Sequence, residues 1–241
     1  MTAADSPSVQ WSSRPKKSMK STWYKTGKWA DYNFAQRFLI CIGAMPPKDA
    51  PEPPKIDPST PVGFYPELAQ WLHWFPPAAL APVLQYVYMK TTGHTWSPGF
   101  AYFVYVVSFI WFAIHSIQGF HHLGLRYGHF DGQHKRDGVP DSQSFKVLWS
   151  LVATILVRPL VGFYLAYDRY EVPSISIWFP LQAFAYASTL DLFFYCYHRS
   201  MHEVPFLWRF HQRHHETHWP NPLLSPFADE EQDVFDILVI P

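Results

Sequence analysis

The sequence predicts an all-α integral membrane protein, with three to four transmembrane helices and a cytosolic cap of histidine-rich helices. Three observations carry this expectation. Aromatic residues make up 19% of the chain and charged residues only 16%, a balance tilted toward a membrane protein. Apolar stretches at 100–120, 145–167 and 175–197 have spanning length, since roughly 20 residues at about 1.5 Å each match a hydrocarbon core of about 30 Å. Histidine is bunched: of 13 in 241 residues, five fall between His198 and His215. The mean hydropathy of −0.12 argues against a membrane only until the chain is divided, because it averages a polar leader with apolar spans.

Residues 1–60 read as a polar, Pro-rich, disordered leader. Lys16, Lys17, Lys20, Lys25 and Lys28 alternate there with Trp11, Trp23, Tyr24 and Trp29. Basic and aromatic residues both favour a membrane interface, so the leader is either a surface anchor or a solvated tail. The run PPKDAPEPPKIDPSTP cannot sustain helix or sheet. Residues 61–96 form a membrane-associated apolar segment broken by Pro76, Pro77 and Pro82, which either spans once with a kink or stays re-entrant. From 97 to 241 the chain reads as one membrane domain. Its first span, 100–120, contains His115, read as a packed polar residue. The second, 145–167, is interrupted by Arg158-Pro159. An arginine at mid-span must face protein, water or a headgroup, so it marks a lining position or a split segment. Between these spans, 121–144 reads as a polar loop whose histidines lie at the surface.

Net charge is zero, so nothing suggests nucleic acid as a partner. Cys41 and Cys196 give no disulfide framework, and no signal peptide opens the chain. No Gly-rich nucleotide loop is visible, so a reducing cofactor is expected on another protein. If 66–90 crosses once, the leader, the loop after 120 and the His cluster share a side with Arg14, Arg126, Lys135, Arg136, Arg199, Arg209 and Arg213 among others. The opposite side holds little beyond Lys90 and Arg169. Basic residues favour the cytosolic side; a re-entrant 66–90 would move the leader to the other side.

The stretch from Asp191, DLFFYCYHRSMHEVPFLWRFHQRHHETH, holds two clusters: His198-x3-His202 and His211-x2-His214-His215. Residues three and four apart share a helix face, so each cluster presents converging imidazoles. Neutral imidazole is the commonest metal ligand and suits iron, zinc and copper. Glu203 is followed by Val204 and Pro205, so the His-Glu-x-x-His zinc arrangement is absent. Five imidazoles exceed what one four-coordinate zinc requires, which makes two ions sharing the set the economical account. His218 stays outside that set, because Pro220 and Pro222 are about to end the helix.

HRSMH, a Pro and aromatic spacer, then HQRHH resembles the sterol desaturase/fatty acid hydroxylase superfamily of membrane-bound di-iron oxygenases. Asp191, seven residues before His198, and PLLSPFADEE at 222–231 are similar to that family's acidic and Pro/Ala/acidic positions. The resemblance covers roughly residue 100 onward. One feature departs from it: the family's third His-x-x-His-His box is missing, and the chain stops inside VFDILVIP, which reads as the opening of a further apolar segment. The resemblance implies two iron ions held by His198, His202, His211, His214 and His215, with Asp191 as an outer partner that orients a ligand; the residue-level alternative for Asp191 is a polar group at the membrane boundary. It implies O2 as co-substrate and a lipid substrate (sterol, fatty acyl or sphingoid) that is hydroxylated or desaturated. Electrons would come from a cytochrome b-type carrier and its NAD(P)H reductase, at the endoplasmic reticulum membrane. Glu230 and Glu231 are either further outer partners or helix-start residues. The rival expectation, from the missing box, is a non-catalytic membrane protein or an incomplete fragment lacking the full metal site.

Overall fold

A computed structural model describes residues 18–57, 59–61, 63–130, 134–225 and 227–239. Every regular element among them is helical, without a strand. Trp11, Arg14, Lys16 and Lys17 of the leader lie outside the described residues.

The leader from residue 18 onward is not a disordered tail. Trp23, Tyr32, Leu39 and Ala44 are buried in a core with Val139, Val147, Leu223, Leu224 and Phe227. Asp141 accepts hydrogen bonds from the Thr22 and Trp23 amides and the Thr22 hydroxyl. The Trp23 indole donates to the Val139 carbonyl at 2.8 Å. Helix α1 (Phe34–Cys41) begins with a reciprocal cap between Asn33 and Gln36, which satisfies two otherwise orphaned amides. The Asn33 amide also reaches the Ser144 hydroxyl. Composition suggested disorder because the apolar partners of this segment lie more than a hundred residues away.

Helix α2 (Glu67–Thr92) runs without a break through Pro76, Pro77 and Pro82, so the prolines do not divide the segment. Gly93 ends it in the left-handed conformation, φ 68°, a common helix stop. After a short turn, Ser97 caps α3 (Pro98–Tyr127) with Pro98 in its first turn. The two helices fold back on each other. The Ser108 hydroxyl donates to the Pro77 carbonyl at 3.0 Å and the Tyr105 hydroxyl to Gln85 Oε1 at 2.9 Å. These two hydrogen bonds tie α3 to the proline-containing helix. His115 stacks on His73 with ring centroids 3.9 Å apart, in keeping with a packed residue. Gly119 is needed at this crossing: a Cβ there would sit 2.4 Å from His73 Nε2.

Helix α3 extends past His121 and His122 to Gly128, so the polar loop starts later than composition suggested. The internal glycines Gly119 and Gly124 do not interrupt it. Helix α4 (Ser144–Ala166) is continuous through Arg158-Pro159. It accommodates the proline with a π-helical turn at Ala153–Val157, in which the Arg158 amide bonds the Ala153 carbonyl. The Tyr102 hydroxyl donates to the Leu156 carbonyl at 2.9 Å. Arg158 lies close enough to Asp236 to act on its charge. By length and apolarity, Pro98–Tyr127 and Ser144–Ala166 are the two candidate membrane spans among the described residues.

Helix α5 (Phe179–Glu203) starts later than the expected third span and continues beyond it. Only Met201 is buried along its length, while Phe184, Leu192, Phe193 and Tyr195 are exposed. It stops because Pro205 forces Val204 into extended backbone, φ −96° and ψ 114°. Pro205 then opens α6 (Pro205–His211), where its missing amide is harmless. Helix α7 (Glu230–Val239) packs against both the π-helical turn of α4 and α6.

Candidate metal centre

The corner at Val204 determines the site. It turns α6 back on α5, so His198 and His202, one turn apart, meet His211 and His215. The four rings offer nitrogens that all lie within 4.8 Å of one another. His202 Nε2 is 3.2 Å from His198 Nε2 and 3.1 Å from His215 Nε2, and His215 Nε2 is 3.0 Å from His211 Nε2. With metal–nitrogen bonds of about 2.0–2.1 Å, two imidazoles side by side on one ion have nitrogens about 3 Å apart. The three pairs at 3.0–3.2 Å match that spacing, which makes the four rings a candidate transition-metal site.

Protonation suits the same role. Burial first, then the imidazoles of His198, His214 and His215, push His211 down to about 3. Burial and the rings of His214, His202 and His198 push His215 down to about 4. Both are neutral near pH 7, the form that binds metal. His211 Nδ1 donates to Gln232 Oε1 at 3.2 Å, which leaves the Nε2 lone pair directed at the cluster.

Of the five histidines expected as ligands, four converge. His214 stands beside them, its ring centroid 5.3 Å from those of His211 and His215, but its Nδ1 donates to the Phe227 carbonyl at 3.2 Å. Asp191 is exposed on α5 and lines a groove that also holds His198 and His202; no hydrogen bond joins it to a ring among the described residues. His218 sits apart, its amide and that of Trp219 donating to Asp137. His134 stacks on Trp219 at 3.9 Å, so this loop histidine supports the segment that carries the cluster.

Residues that sequence reasoning missed surround the cluster. Gln232 is one. Asp236 accepts from the Tyr197 hydroxyl at 2.7 Å, and Asp233 holds Lys146 in a buried ion pair while accepting from Ser150. Arg213, expected at headgroups or in solvent, is buried and paired with Glu216 at 2.8 Å and Asp229 at 3.7 Å. Arg199 is exposed and pairs with Glu203. The acidic run after Phe227 was visible as a signal, but its targets are distant in sequence.

Fold and site together define an all-helical protein of membrane character with a cluster of four imidazoles, a candidate metal site, beside its apolar helices. The chain is 41% identical over 127 residues to the fatty acid hydroxylase vlmA of a Lecanicillium species, a match covering 49% of this chain and 34% of that protein. This similarity agrees with the resemblance of the histidine boxes to the sterol desaturase/fatty acid hydroxylase superfamily. The chain spans about a third of the length of that curated relative. No protein-family profile matches the chain, and no solved structure does.

Proposed function

We propose that this chain contributes a histidine-held iron centre to a membrane-bound oxygenase that hydroxylates or desaturates a long apolar lipid. The observation that carries the reading is the convergence of His198, His202, His211 and His215, the first two of which line an open groove along α5 with Leu192, Phe194 and Tyr195. A sterol, fatty acyl or sphingoid chain could lie along that groove with its reacting carbon at the imidazoles. Iron bound there would supply O2 activation, which no side chain provides. The residues of this chain hold the ion, shield one side of it and present the substrate from the membrane. Two irons, as in the family resemblance, need donors in addition to these four; the Nε2 of His214 is a candidate.

The arrangement in the membrane is part of the proposal. The leader packs on Val147 and on Leu223, Leu224 and Phe227, which puts it on the same side as the cluster. That favours α2 and α3 crossing as a pair, with α4 and α5 completing four spans. The basic residues near the cluster then favour the cytosol for this side, within the endoplasmic reticulum membrane. A cytochrome b-type carrier with its NAD(P)H reductase is the electron donor proposed.

A second reading, a membrane protein without catalytic activity, is favoured by one observation: among the described residues, four donors converge. Isotopically labelled O2 separates the two. Iron-loaded chain in lipid vesicles with a reduced cytochrome carrier should give either labelled oxygen in the lipid or a product two hydrogens lighter, and a His198→Ala change should abolish it. Unchanged lipid under those conditions, with iron bound, would favour the non-catalytic reading.

A further inference from the structure

We propose that Gln232 and Asp236 of α7 are positioning residues that lock the two histidine pairs together, with Gln232 setting the tautomer of His211. The inference rests on the metal-centre reading above and extends it to residues outside the histidine boxes. Positions 232 and 236 are one helical turn apart and share a face. From that face Gln232 Oε1 accepts the His211 Nδ1 proton at 3.2 Å, and Gln232 also hydrogen-bonds the Asp236 carboxyl. The carboxyl in turn accepts from Tyr197, the residue preceding His198, at 2.7 Å. A closed path therefore runs from the helix of His198 and His202, through Tyr197, Asp236 and Gln232, to His211 and the second pair. Beside them on α7, Asp233 binds Lys146 and Ser150 of α4. Gln232 and His211 are 4% and 1% exposed, so water does not compete for this bond.

A carbonyl oxygen can only accept, so Gln232 holds the proton on Nδ1 and keeps Nε2 free. Its amide nitrogen can only donate, which matches the carboxylate of Asp236. An apolar side chain of similar size at 232 would leave His211 free to exchange tautomers and its buried Nδ1–H unpaired.

Gln232→Leu and Gln232→Glu variants of the full chain, in detergent, test this with two readouts. Nitrogen NMR of histidine-labelled, metal-free protein reports the His211 tautomer, assigned by loss of its signal in His211→Gln. Co2+ titration reports affinity. Gln232→Leu should mix the tautomers and weaken Co2+ binding about 10- to 100-fold, the usual effect of removing such a partner. Gln232→Glu retains the acceptor for Nδ1 but loses the donor to Asp236, so it should keep the tautomer and lose less affinity than Gln232→Leu. An unchanged tautomer and affinity in Gln232→Leu would overturn the proposal, as would equal loss in both variants. If the unsubstituted chain binds no Co2+, the metal reading fails, while the tautomer still decides the role of Gln232.

Discussion

The segment from Leu223 to Asp229 and helix α5 differ in burial, although both adjoin the histidine cluster. Leu224 is fully buried, Phe227 and Ala228 are 1% exposed, and an ion pair tucks Asp229 against Arg213. Along the 25 residues of α5, one side chain is buried, and Phe184, Leu192 and Phe193 stand exposed at 60–70%. Water would penalise such a surface at about 25 cal/mol per Å², and a water-soluble monomer rarely shows one so large. Lipid would not. The contrast divides the molecule into a head that folds by excluding water and helices that expect another solvent, with the histidine cluster at the junction.

The largest test of that division removes the cluster. His198→Ala together with His202→Ala should abolish metal binding yet leave the helical content unchanged, by circular dichroism, because both residues lie near the open end of α5. Collapse of the fold would place these histidines in the head's core instead. Next, Asp233→Ala should destabilise the head by about 1.5–3 kcal/mol, since it removes the part-buried, charge-assisted contacts to Lys146 and Ser150; an unchanged thermal midpoint would mean that α7 is not anchored there. Leu224→Ala should cost about 2–5 kcal/mol by opening a cavity, whereas Leu192→Ala on α5 should cost far less in detergent. Equal losses would erase the comparison. The smallest effect concerns pH. In metal-free protein His211 and His215 titrate at about 3 and 4, below the value of about 6.5 for an unfolded chain. The unfolded state therefore binds more protons between those values. Stability from this source is full above about pH 6.5 and falls as pH drops toward 3, and a His211→Gln variant should show a flatter profile.

How much of this was legible follows from the range of each interaction. The histidine boxes could be read because their geometry is local: four residues make one turn, and Val204-Pro205 makes the corner. The helical class and the two strongest spans were legible for the same reason. The prolines at 76, 77 and 82 left two arrangements open in the sequence, a kinked span or a re-entrant segment, and the helix runs through all three without a break. Trp23 and Leu39 gave no sign of burial, since Leu224 is distant in sequence. Asp191 was singled out by its spacing from His198, yet the hydrogen bond that orients a ring comes from Gln232, beyond the boxes and on a separate helix. His214 shares a sequence motif with His215, but a backbone carbonyl at Phe227 turns its Nδ1 away from the cluster.

The central claim, that four imidazoles of this chain form a metal centre, is tested most directly by metal content. Full chain expressed in iron-supplemented medium and purified in detergent should carry at least one iron per chain by elemental analysis, lost in the double His198→Ala, His202→Ala variant. Chain that folds but holds no iron, and takes up neither Fe2+ nor Co2+ when offered, would contradict the account.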